Sequence, residues 1–499
     1  MHSDTADLHP DACYLALKAR DARFDGRFFI AVTSTGIYCR PVCKVRIPRR
    51  ENCRFFGHAA QAEQAGFRPC LRCRPELAPQ SLAWSIQDAS SILAQQAARL
   101  LDEPEAWGDA PATAIHLSQR LGVSDRHVRR IFETHFGVSP LQYLQTRRLL
   151  TAKQLLADTN LPVTQVALIS GYASVRRFNA AFAHHYGLNP TQMRRQGDRP
   201  GNALAVRLGW RPPYDVHAML SFLHTRAIAG VEYVRAAEGR LARTFALHAA
   251  GELHRGWIAV QFDEPNHQVT LHVSDSLRQV LPAVIHRVRC LLDLDADPQM
   301  INPLLHERFP LGDGLRVPGA MSGFEIAVRA VLGQQVTVAA ARTLAQRLAD
   351  RFGEALETPF AQLMRLFPQA DVLAHAGGDA LGQLGIVRQR QAAIVAIAQA
   401  VADRRLHLHQ GADVAATVEQ LKELPGIGDW TAQYIAMRAL RWPDAFPAGD
   451  IALQKSLGVL DAPNRARAAE AASLAWKPWR SYAVIRAWAA LAPAPKEAS

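Results

Sequence analysis

The sequence lacks the usual marks of an exported or membrane-spanning protein. It contains no uninterrupted apolar run of the roughly 18 residues that a transmembrane helix needs. Its start, Met1–Asp4, has no basic segment followed by an apolar one. Its seven cysteines are an odd number, which argues against a framework of disulfides. We therefore expect a cytoplasmic protein.

Acidic residues are also scarce relative to basic ones, and the imbalance is concentrated in the first part of the chain. The sequence has 57 lysines and arginines against 45 aspartates and glutamates, a net charge of +12. Residues 1–200 hold 26 of the basic side chains and 17 of the acidic ones. A local excess of arginine favours a polyanionic partner. On charge alone, that partner is either a nucleic acid or an anionic membrane surface.

At 499 residues, the chain is too long for a single hydrophobic core. Its patterns predict a multidomain α+β protein with four parts. These are a small cysteine-rich domain at 1–79, an all-α domain at 105–196, a small antiparallel β domain at 203–290 and an all-α domain at 291–499. A helix is expected over 81–101, and linkers are expected at 102–105 and 196–201. The β domain is predicted from period-two runs such as Trp257–Phe262 and Val269–Val273.

Four cysteines in the first domain have the spacing of a metal site. Cys39 and Cys43 are separated by three residues, Cys70 and Cys73 by two, and the pairs by 26. Two short loops of this kind can close one tetrahedral Zn²⁺ site with four thiolates. The spacing alone favours a zinc that only holds a small domain together.

The segments around these cysteines give the zinc site a second interpretation. Thr35–Cys43 (TGIYCRPVC) and Ala65–Cys73 (AGFRPCLRC) resemble the amino-terminal domain of the Ada alkylation-response family over about 65 residues. The resemblance implies that Cys39 is both a zinc ligand and the irreversible acceptor of a methyl group from a DNA methylphosphotriester. Five nearby cations are candidates for phosphate contacts, although any one of them could equally be a solvated surface charge: Arg40, Lys44, Arg46, Arg68 and Arg72. The second methyltransferase signature of that family, Pro-Cys-His-Arg, is absent, so no transfer from O6-alkylguanine is expected.

The all-α domain contains two predicted helix-turn-helix units. The first has helices at 114–121 and 125–136 around a turn ending at Ser124, and the second has helices at 162–170 and 175–186. Each second helix is followed by a glycine, Gly137 or Gly187, that is typical of a C-cap. Residues 112–195 hold 11 basic and 3 acidic side chains, which favours DNA binding, although a small helical bundle can also have one charged face.

The paired units resemble the AraC family of transcription regulators, including FNAAF at Phe178–Phe182 and YGLNP at Tyr186–Pro190. The resemblance implies promoter DNA as a partner, and RNA polymerase as a further one. The side chains expected to face the major groove are Arg126, His127, Arg129, Arg130, Arg176, Arg177 and Asn179.

The last domain contains a predicted helix-hairpin-helix. Leu424, Pro425, Gly426, Ile427 and Gly428 lie between helices expected near 414–422 and 429–440. Glycines in this turn let backbone N–H groups reach a phosphate oxygen without reading sequence. A monovalent cation is also expected at the hairpin. Asp450 follows 22 residues after Gly428, at the start of another helix. It is either a catalytic carboxylate or only the N-cap of that helix.

The hairpin at Leu424–Gly428 and the downstream Asp450 together resemble the base-excision glycosylase superfamily. Three further segments resemble the AlkA family of 3-methyladenine DNA glycosylases: LGWRPPYD at Leu208–Asp215, RAVLGQQV at Arg329–Val336 and WKPWRSYA at Trp476–Ala483. The resemblance covers about 204–493. It implies Asp450 as the catalytic carboxylate, a base pocket of Trp430, Tyr434 and Trp488, and a DNA wedge at Gln335, where the family has leucine. Each aromatic could instead be ordinary core.

Two absences restrict the expected reaction. Bifunctional relatives carry a Schiff-base lysine where this chain has Trp430, so no strand cleavage is expected. Only Cys290 lies in this half, which excludes a four-cysteine iron–sulfur cluster there. The sequence therefore predicts a monofunctional glycosylase for alkylated bases in duplex DNA, fused to a methyl-accepting regulator, without a membrane partner. The alternative is a regulator whose glycosylase half is inactive.

Overall fold

The structure is a computed structural model that describes residues 9–80, 89–103, 113–196, 204–249 and 251–491. The chain divides into two units. The first comprises Met1–Pro212, Leu247–Arg289 and Leu294–Asp297, and the second comprises Pro213–Ala246, Cys290–Asp293 and Pro298–Ser499. The mixture of helical and antiparallel parts confirms the predicted multidomain α+β class. In the described ranges, no helix is both long and apolar enough to cross a bilayer.

The first 80 residues form a small mixed sheet flanked by helices. Its elements are α1 (Pro10–Ala19), β1 (Phe29–Val32), β2 (Ile37–Cys39), β3 (Cys53–Phe56), α2 (Ala59–Gln64) and β4 (Arg68–Pro69). The strand order is β3-β1-β2-β4. Strands β1 and β2 are antiparallel, whereas β2 and β4 are parallel, with Tyr38 opposite Pro69. Because both of these parallel strands end at a cysteine or directly before one, the sheet brings the two cysteine pairs together.

Helices account for most of the described residues from 89 to 196. They are α3 (Ala89–Asp102), α4 (Ala114–Leu121), α5 (Asp125–Phe136), α6 (Pro140–Asp158), α7 (Val163–Ile169), α8 (Val175–Tyr186) and α9 (Pro190–Gln196). Both predicted helix-turn-helix pairs are present within one residue of their expected bounds. Ser124 and Ser174 cap α5 and α8 through their hydroxyls. Gly137 and Gly187 end the same helices with φ of +69° and +66°, which suits glycine.

The helix predicted at 81–101 is described only from Ala89, since residues 81–88 lie outside the described ranges. Asp102, which the sequence analysis assigns to a linker, is the last residue of α3. Its carboxylate accepts a hydrogen bond from the Tyr143 hydroxyl (2.9 Å) and pairs with Arg147 (2.8 Å), both on α6. Asp102 is therefore part of the helical domain. Most of the second predicted linker, 197–201, also lies outside the described ranges.

The predicted antiparallel segment forms a five-stranded sheet. Its elements are β5 (Ala205–Gly209), α10 (Val216–Arg226), β6 (Glu232–Arg235), β7 (Arg240–Ala249), β8 (Glu252–Asp263), β9 (Gln268–Val273) and α11 (Leu281–Leu291). The strand order is β5-β9-β8-β7-β6. In β9, Val269, Leu271 and Val273 are buried while alternate residues are half-buried. This period of two confirms the strand prediction.

The remainder of the second unit is helical, as predicted. The helices are α12 (Pro298–Leu305), α13 (Gly323–Leu332), α14 (Val338–Phe352), α15 (Ala370–Ala374), α16 (Gly378–Gly382), α17 (Arg388–Ala402), α18 (Val414–Glu423), α19 (Asp429–Arg438), α20 (Ile451–Leu457), α21 (Arg465–Ser473) and α22 (Arg480–Ala490). Helix α13 packs against α14, α17 and α19. Since eight of its ten residues are buried, it forms the centre of this helical part.

A single buried arginine joins distant segments of the first unit. Arg211 is fully buried and donates hydrogen bonds to the backbone carbonyls of Asp25 (2.8 Å), Gln80 (2.7 Å) and Asp295 (2.9 Å). A buried guanidinium needs such acceptors, because a buried charge without hydrogen bonds is costly. These bonds attach the end of the cysteine-rich segment to the start of the β segment.

Candidate functional site

The four predicted zinc ligands come together in the first unit. The sulfurs of Cys39, Cys43, Cys70 and Cys73 all lie within 4.8 Å of one another. Three of these residues are buried, and Cys73 is half-buried. A tetrahedral zinc with four thiolates places its sulfurs about 3.8 Å apart, so this donor set fits the metal. Among the described residues, this is the one cluster of three or more candidate ligands that could hold a metal ion.

The sulfurs compete for protons when no cation holds them. Hydrogen bonding with Cys43 raises the pKa of Cys39, whereas hydrogen bonding with Cys39 lowers the pKa of Cys70. Opposite directions in one cluster mean that a metal-free site mixes thiols and thiolates. Four thiolates at these distances therefore require a cation.

The arginine next to the predicted methyl acceptor does not point to solvent. The Arg40 guanidinium pairs with Asp25 (2.8 Å from Nε to Oδ1) and donates to the carbonyl of Cys73 (3.0 Å). Its backbone N–H donates to the Cys73 sulfur (3.3 Å). The expectation that Arg40 contacts phosphate is therefore not supported, since these contacts already occupy it. Lys44, Arg46 and Arg72 are exposed, as expected of phosphate contacts.

A buried ion network joins the cysteine cluster to helix α6. Lys153 of α6 is 2% exposed, pairs with Glu76 and donates to the carbonyl of Cys70 (3.5 Å). Arg74 pairs with both Glu76 (2.9 Å) and Asp158 (2.6 Å). This network was not predicted from the sequence. The charged residues are far apart in sequence and belong to no motif, so only the fold brings them together.

Tyr38, the residue before Cys39, is linked to α6 through the carboxylate of Glu63. Tyr38 donates its hydroxyl proton to the Glu63 carboxylate (2.9 Å), which also accepts from the Thr146 hydroxyl (3.0 Å). All three side chains are buried. Burial raises the pKa of Glu63 to about 7, although both hydroxyls act against that rise. The strand that carries Cys39 and the helical domain thus share a buried titratable carboxyl group.

The predicted major-groove residues lie on the surface of α5 and α8. Six of the seven side chains are exposed and the seventh, His127, is half-buried; the exposed ones are Arg126, Arg129, Arg130, Arg176, Arg177 and Asn179. Arg129 pairs with Asp125 (3.0 Å), and Arg130 contacts His127 (3.2 Å). This exposure is compatible with groove contacts.

In the second unit, the predicted hairpin lies between α18 and α19. Gly426 has φ of +75°, and a Cβ there would lie 3.3 Å from the carbonyl oxygen of Gln389. Gly428 is the N-cap of α19 and makes no side-chain capping bond, so the first N–H groups of the helix keep their capacity for an anion. The side chain of Gln334 donates to the Gly426 carbonyl (3.0 Å) and to the Thr431 hydroxyl (2.9 Å). Gln334 holds the turn, a role that the sequence analysis did not assign.

Asp450 accepts three hydrogen bonds, from groups on three helices. As N-cap of α20, its Oδ1 accepts from the backbone N–H of Leu453 (2.7 Å). The same oxygen accepts from the indole N–H of Trp488 on α22 (3.0 Å), and Oδ2 accepts from the indole N–H of Trp430 on α19 (3.0 Å). Asp450 is therefore the N-cap of α20. Capping does not explain the two hydrogen bonds from the indoles, which fix this half-buried carboxylate among aromatic rings.

The predicted pocket residues form one aromatic group. The rings of Trp430 and Tyr434 are stacked, with centroids 5.3 Å apart and an interplanar angle of 18°. Trp488 lies 6.3 Å from Tyr434 at 37°. All three side chains are only half-buried, so they are not simply core. A guanidinium nitrogen of Arg438 donates to the Tyr434 hydroxyl (2.7 Å).

Gln335, the predicted wedge, lies in the short connection between α13 and α14. It is exposed and has φ of +53°. A left-handed backbone conformation in a residue other than glycine is uncommon. The exposure of the side chain is compatible with a wedge.

Comparison with protein-family models gives four matches along the chain. Residues 12–76 match the metal binding domain of Ada, and residues 117–196 match a helix-turn-helix domain. Residues 205–322 match the AlkA N-terminal domain, and residues 328–481 match the HhH-GPD superfamily of base excision DNA repair proteins. The matches confirm all four resemblances inferred from the sequence.

Whole-protein comparisons give the same picture. The chain is 36% identical to a probable bifunctional transcriptional activator/DNA repair enzyme AlkA of Mycobacterium tuberculosis, over 97% of each chain. It is 36% identical to DNA-3-methyladenine glycosylase 2 of Escherichia coli, over 56% of this chain and 95% of that protein. It is 32% identical to the Escherichia coli bifunctional transcriptional activator/DNA repair enzyme Ada, over 40% of this chain and 52% of that protein.

The pH dependence of folding should report on Glu63. Because the folded state raises the pKa of Glu63 to about 7, this group stabilises the fold at low pH, and the contribution is lost as the pH rises through 7. Glu63→Gln removes that loss. Relative to wild type, the free energy of unfolding of the variant should rise by about 2 kcal/mol between about pH 5 and pH 8. Urea denaturation of the zinc-loaded chain measures this difference. The exposed control Glu133→Gln should show no such change, and identical pH dependence in all three proteins contradicts the assignment.

Proposed function

Since this chain belongs to the family of bifunctional transcriptional activators and DNA repair enzymes that its mycobacterial relative represents, we propose that it excises alkylated bases at Asp450 and accepts backbone methyl groups at Cys39. The chain combines a DNA-3-methyladenine glycosylase of the HhH-GPD family with a helix-turn-helix regulator. The residues that perform each step are inferred from the geometry described above.

The glycosylase mechanism rests on the surroundings of Asp450. A base alkylated at N3 or N7 is cationic, so it leaves as a neutral molecule while positive charge develops on the sugar. The carboxylate of Asp450 stabilises that charge electrostatically and orients the attacking water. Its three hydrogen-bond donors fix its position without neutralising it. This arrangement is the observation that supports the function most strongly.

The flipped base is held by aromatic rings. A cationic base stacks favourably on electron-rich rings, and Trp430, Tyr434 and Trp488 provide such rings beside Asp450. Gln335 fills the gap in the duplex and can hydrogen-bond the orphaned base. The turn Leu424–Gly428 anchors the backbone through its N–H groups. The proposal includes a monovalent cation bound by carbonyl oxygens of the same turn, of which that of Gly426 already accepts a hydrogen bond from Gln334.

The reaction ends with an intact abasic strand. Trp430 occupies the position where the resemblance places a Schiff-base lysine in bifunctional relatives. An indole has no nucleophilic amine, so it forms no covalent link to the sugar. We infer that base release and strand cleavage are uncoupled in this chain.

Asp450→Asn should abolish base release. The variant keeps a side chain that can cap α20 but loses the negative charge, so release of 3-methyladenine from methylated duplex DNA should fall by about 100-fold or more. Chromatography of released bases measures the rate, and the DNA should stay uncut until alkali is added. Asp413→Asn is the matched control, because Asp413 caps α18 in the same way (2.9 Å to the N–H of Ala416). If the wild type releases no 3-methyladenine, or if Asp450→Asn releases it as fast as the wild type, the glycosylase proposal fails. The alternative, a regulator with an inactive glycosylase half, would then remain.

The first unit supplies the methyl acceptor. When bound, zinc keeps the sulfurs as thiolates at neutral pH. The Cys39 sulfur attacks the methyl carbon of a methylphosphotriester, the C–O bond breaks, and the phosphate oxygen keeps the electron pair. Cys39 becomes a neutral thioether, so the site loses one negative charge near DNA, and binding to DNA should tighten.

The helix-turn-helix pair would bind promoter DNA, and methylation of Cys39 would strengthen that binding. Arg126, His127, Arg129 and Arg130 on α5, with Arg176, Arg177 and Asn179 on α8, are the proposed groove contacts. RNA polymerase is the proposed protein partner of the promoter-bound chain.

Methylation should be visible on the intact protein. After exposure to DNA that carries methylphosphotriesters, mass spectrometry should find one methyl adduct, located at Cys39. The adduct should be absent from Cys39→Ser and present in Cys53→Ser, whose thiol lies outside the cluster. Gel-shift titration on promoter DNA should then show tighter binding by the methylated wild type. A zinc-loaded chain without an adduct contradicts methyl acceptance, and equal affinity before and after methylation contradicts the switch.

A further inference from the structure

The carboxyl-terminal ends of both proposed groove helices, α5 and α8, contact one short part of the metal-binding segment. This part, residues 58–68, contains α2 and the turn that leads into β4, and we name it the clamp segment. The two helices are followed by Gly137 and Gly187, which both have positive φ. A Cβ on Gly137 would lie 2.6 Å from Nε2 of Gln61. A Cβ on Gly187 would lie 2.8 Å from Nη1 of Arg68. Each terminal glycine is therefore covered by a side chain of the clamp segment.

The contact between the clamp segment and α5 is largely apolar. Ala60 is 5% exposed and belongs to the same buried cluster as Phe132 and Phe136 of α5. The ring of His58 lies 5.1 Å from that of Phe136. Burial, and then the neighbouring His135, lower the pKa of His58 to about 4. The His58 ring is therefore neutral at pH 7, as a ring packed on an apolar surface should be.

The contact between the clamp segment and α8 is polar. Nη1 of Arg68 donates to the backbone carbonyl of Tyr186 (3.2 Å), the last residue of α8. The last carbonyls of a helix have no partner within it and form its negative end, so a guanidinium is favourable there. Nδ1 of His185, also on α8, lies 3.8 Å from the carboxylate of Glu63. The clamp segment thus holds α8 through charged groups and α5 through buried ones.

These contacts lie at the opposite end of each helix from the proposed groove contacts. The groove contacts are within 126–130 of α5 and 176–179 of α8, in the first half of each helix. Both helices have 12 residues, a length of about 18 Å. The clamp segment can therefore hold the two helices and leave their groove faces to DNA.

We infer that the clamp segment fixes the distance and angle between α5 and α8, and so determines which spacing of two half-sites the chain binds on duplex DNA. Gln61 and Arg68 are positioning residues that act through the helices. The inference rests on the proposed promoter binding by α5 and α8. It adds a specificity role for a segment outside the helix-turn-helix pair.

The physical reason is the geometry of the duplex. Helices that enter two successive major grooves must match a separation of about 34 Å. One added base pair also rotates one half-site by about 35° relative to the other. Helix α6 joins the two helix-turn-helix units along the chain, and the clamp segment is a second connection between them. Two connections restrict a rotation that one connection leaves free, so the held helices should tolerate a changed spacing poorly.

The test measures the dependence of binding on half-site spacing. A site is first selected from random-sequence duplex DNA with the full-length wild type. Duplexes with one base pair inserted or removed between its half-sites are then titrated in gel shifts. Each change should weaken binding by the wild type by about tenfold or more. The double variant Gln61→Ala/Arg68→Ala should lose less than about threefold on the same duplexes. A segment that only stabilised the fold would lower affinity equally at every spacing.

A salt titration separates the clamp role of Arg68 from a phosphate contact, since much of this side chain is exposed. Loss of one phosphate contact reduces the slope of log K against log salt concentration by about 0.9. Arg68→Gln should leave that slope unchanged on the selected duplex. A reduced slope would identify Arg68 as a phosphate contact and contradict its clamp role.

Gly187→Ala tests the contact while leaving Arg68 in the sequence, because the added methyl group should displace the guanidinium. Gly458→Ala is the matched control. Gly458 ends α20 with φ of +72°, close to the +66° of Gly187, and a Cβ there would meet no atom of the described residues within 4 Å. Both variants carry the same backbone cost, but only Gly187→Ala should reduce the dependence on spacing.

The outcomes separate this inference from the proposed promoter binding. If the wild type and the double variant depend equally on spacing, or if the selected site has a single half-site, the clamp role is wrong while promoter binding stands. If the double variant does not fold, the comparison of Gly187→Ala with Gly458→Ala decides. If the wild type selects no sequence, the proposed promoter binding itself fails.

Discussion

Three hydrogen bonds to the carboxylate of Asp450 hold the proposed glycosylase site together. A carboxylate that stabilises a developing cation must stay charged, and here it must do so among aromatic rings. Two indole N–H groups and one backbone N–H meet this need, because they satisfy the oxygens without transferring a proton. Since these donors come from α19, α20 and α22, the packing of the three helices also sets the geometry of the proposed catalytic carboxylate.

In the first unit, the groups that must stay negatively charged are the sulfurs of the four clustered cysteines. Four thiolates require a cation, and the parallel pairing of β2 with β4 brings their two short loops together. Around that cluster, the chain buries Glu63 and Glu76 against α6, and α6 contributes the buried Lys153 that pairs with Glu76. Buried charges of this kind are costly unless they are paired. Here they are paired across the contact between the metal-binding segment and α6, the helix that separates the two helix-turn-helix units.

Local patterns in the sequence predicted much of this. Cysteine spacing identified the four ligands, capping residues gave the bounds of α5 and α8 within a residue, and two glycines identified the hairpin. The contacts of Lys153, Gln334 and Arg438 were not predicted. Arg40, predicted to be either a phosphate contact or a solvated surface charge, is instead paired with Asp25. Each of these depends on a partner at long sequence separation or on burial, and neither leaves a periodic signal. A lone arginine in a helix gives no indication of whether it faces solvent or a tyrosine in a pocket.

The most direct test of the account is a double-mutant cycle between the indoles and the carboxylate. Trp430→Phe and Trp488→Phe each keep a ring in the pocket but remove a donor to Asp450. If the indoles act through that carboxylate, each should slow single-turnover release of 7-methylguanine by the wild type and slow it far less in the Asp450→Asn background. Equal slowing in both backgrounds would contradict the account, because the tryptophans would then act on the base independently of Asp450.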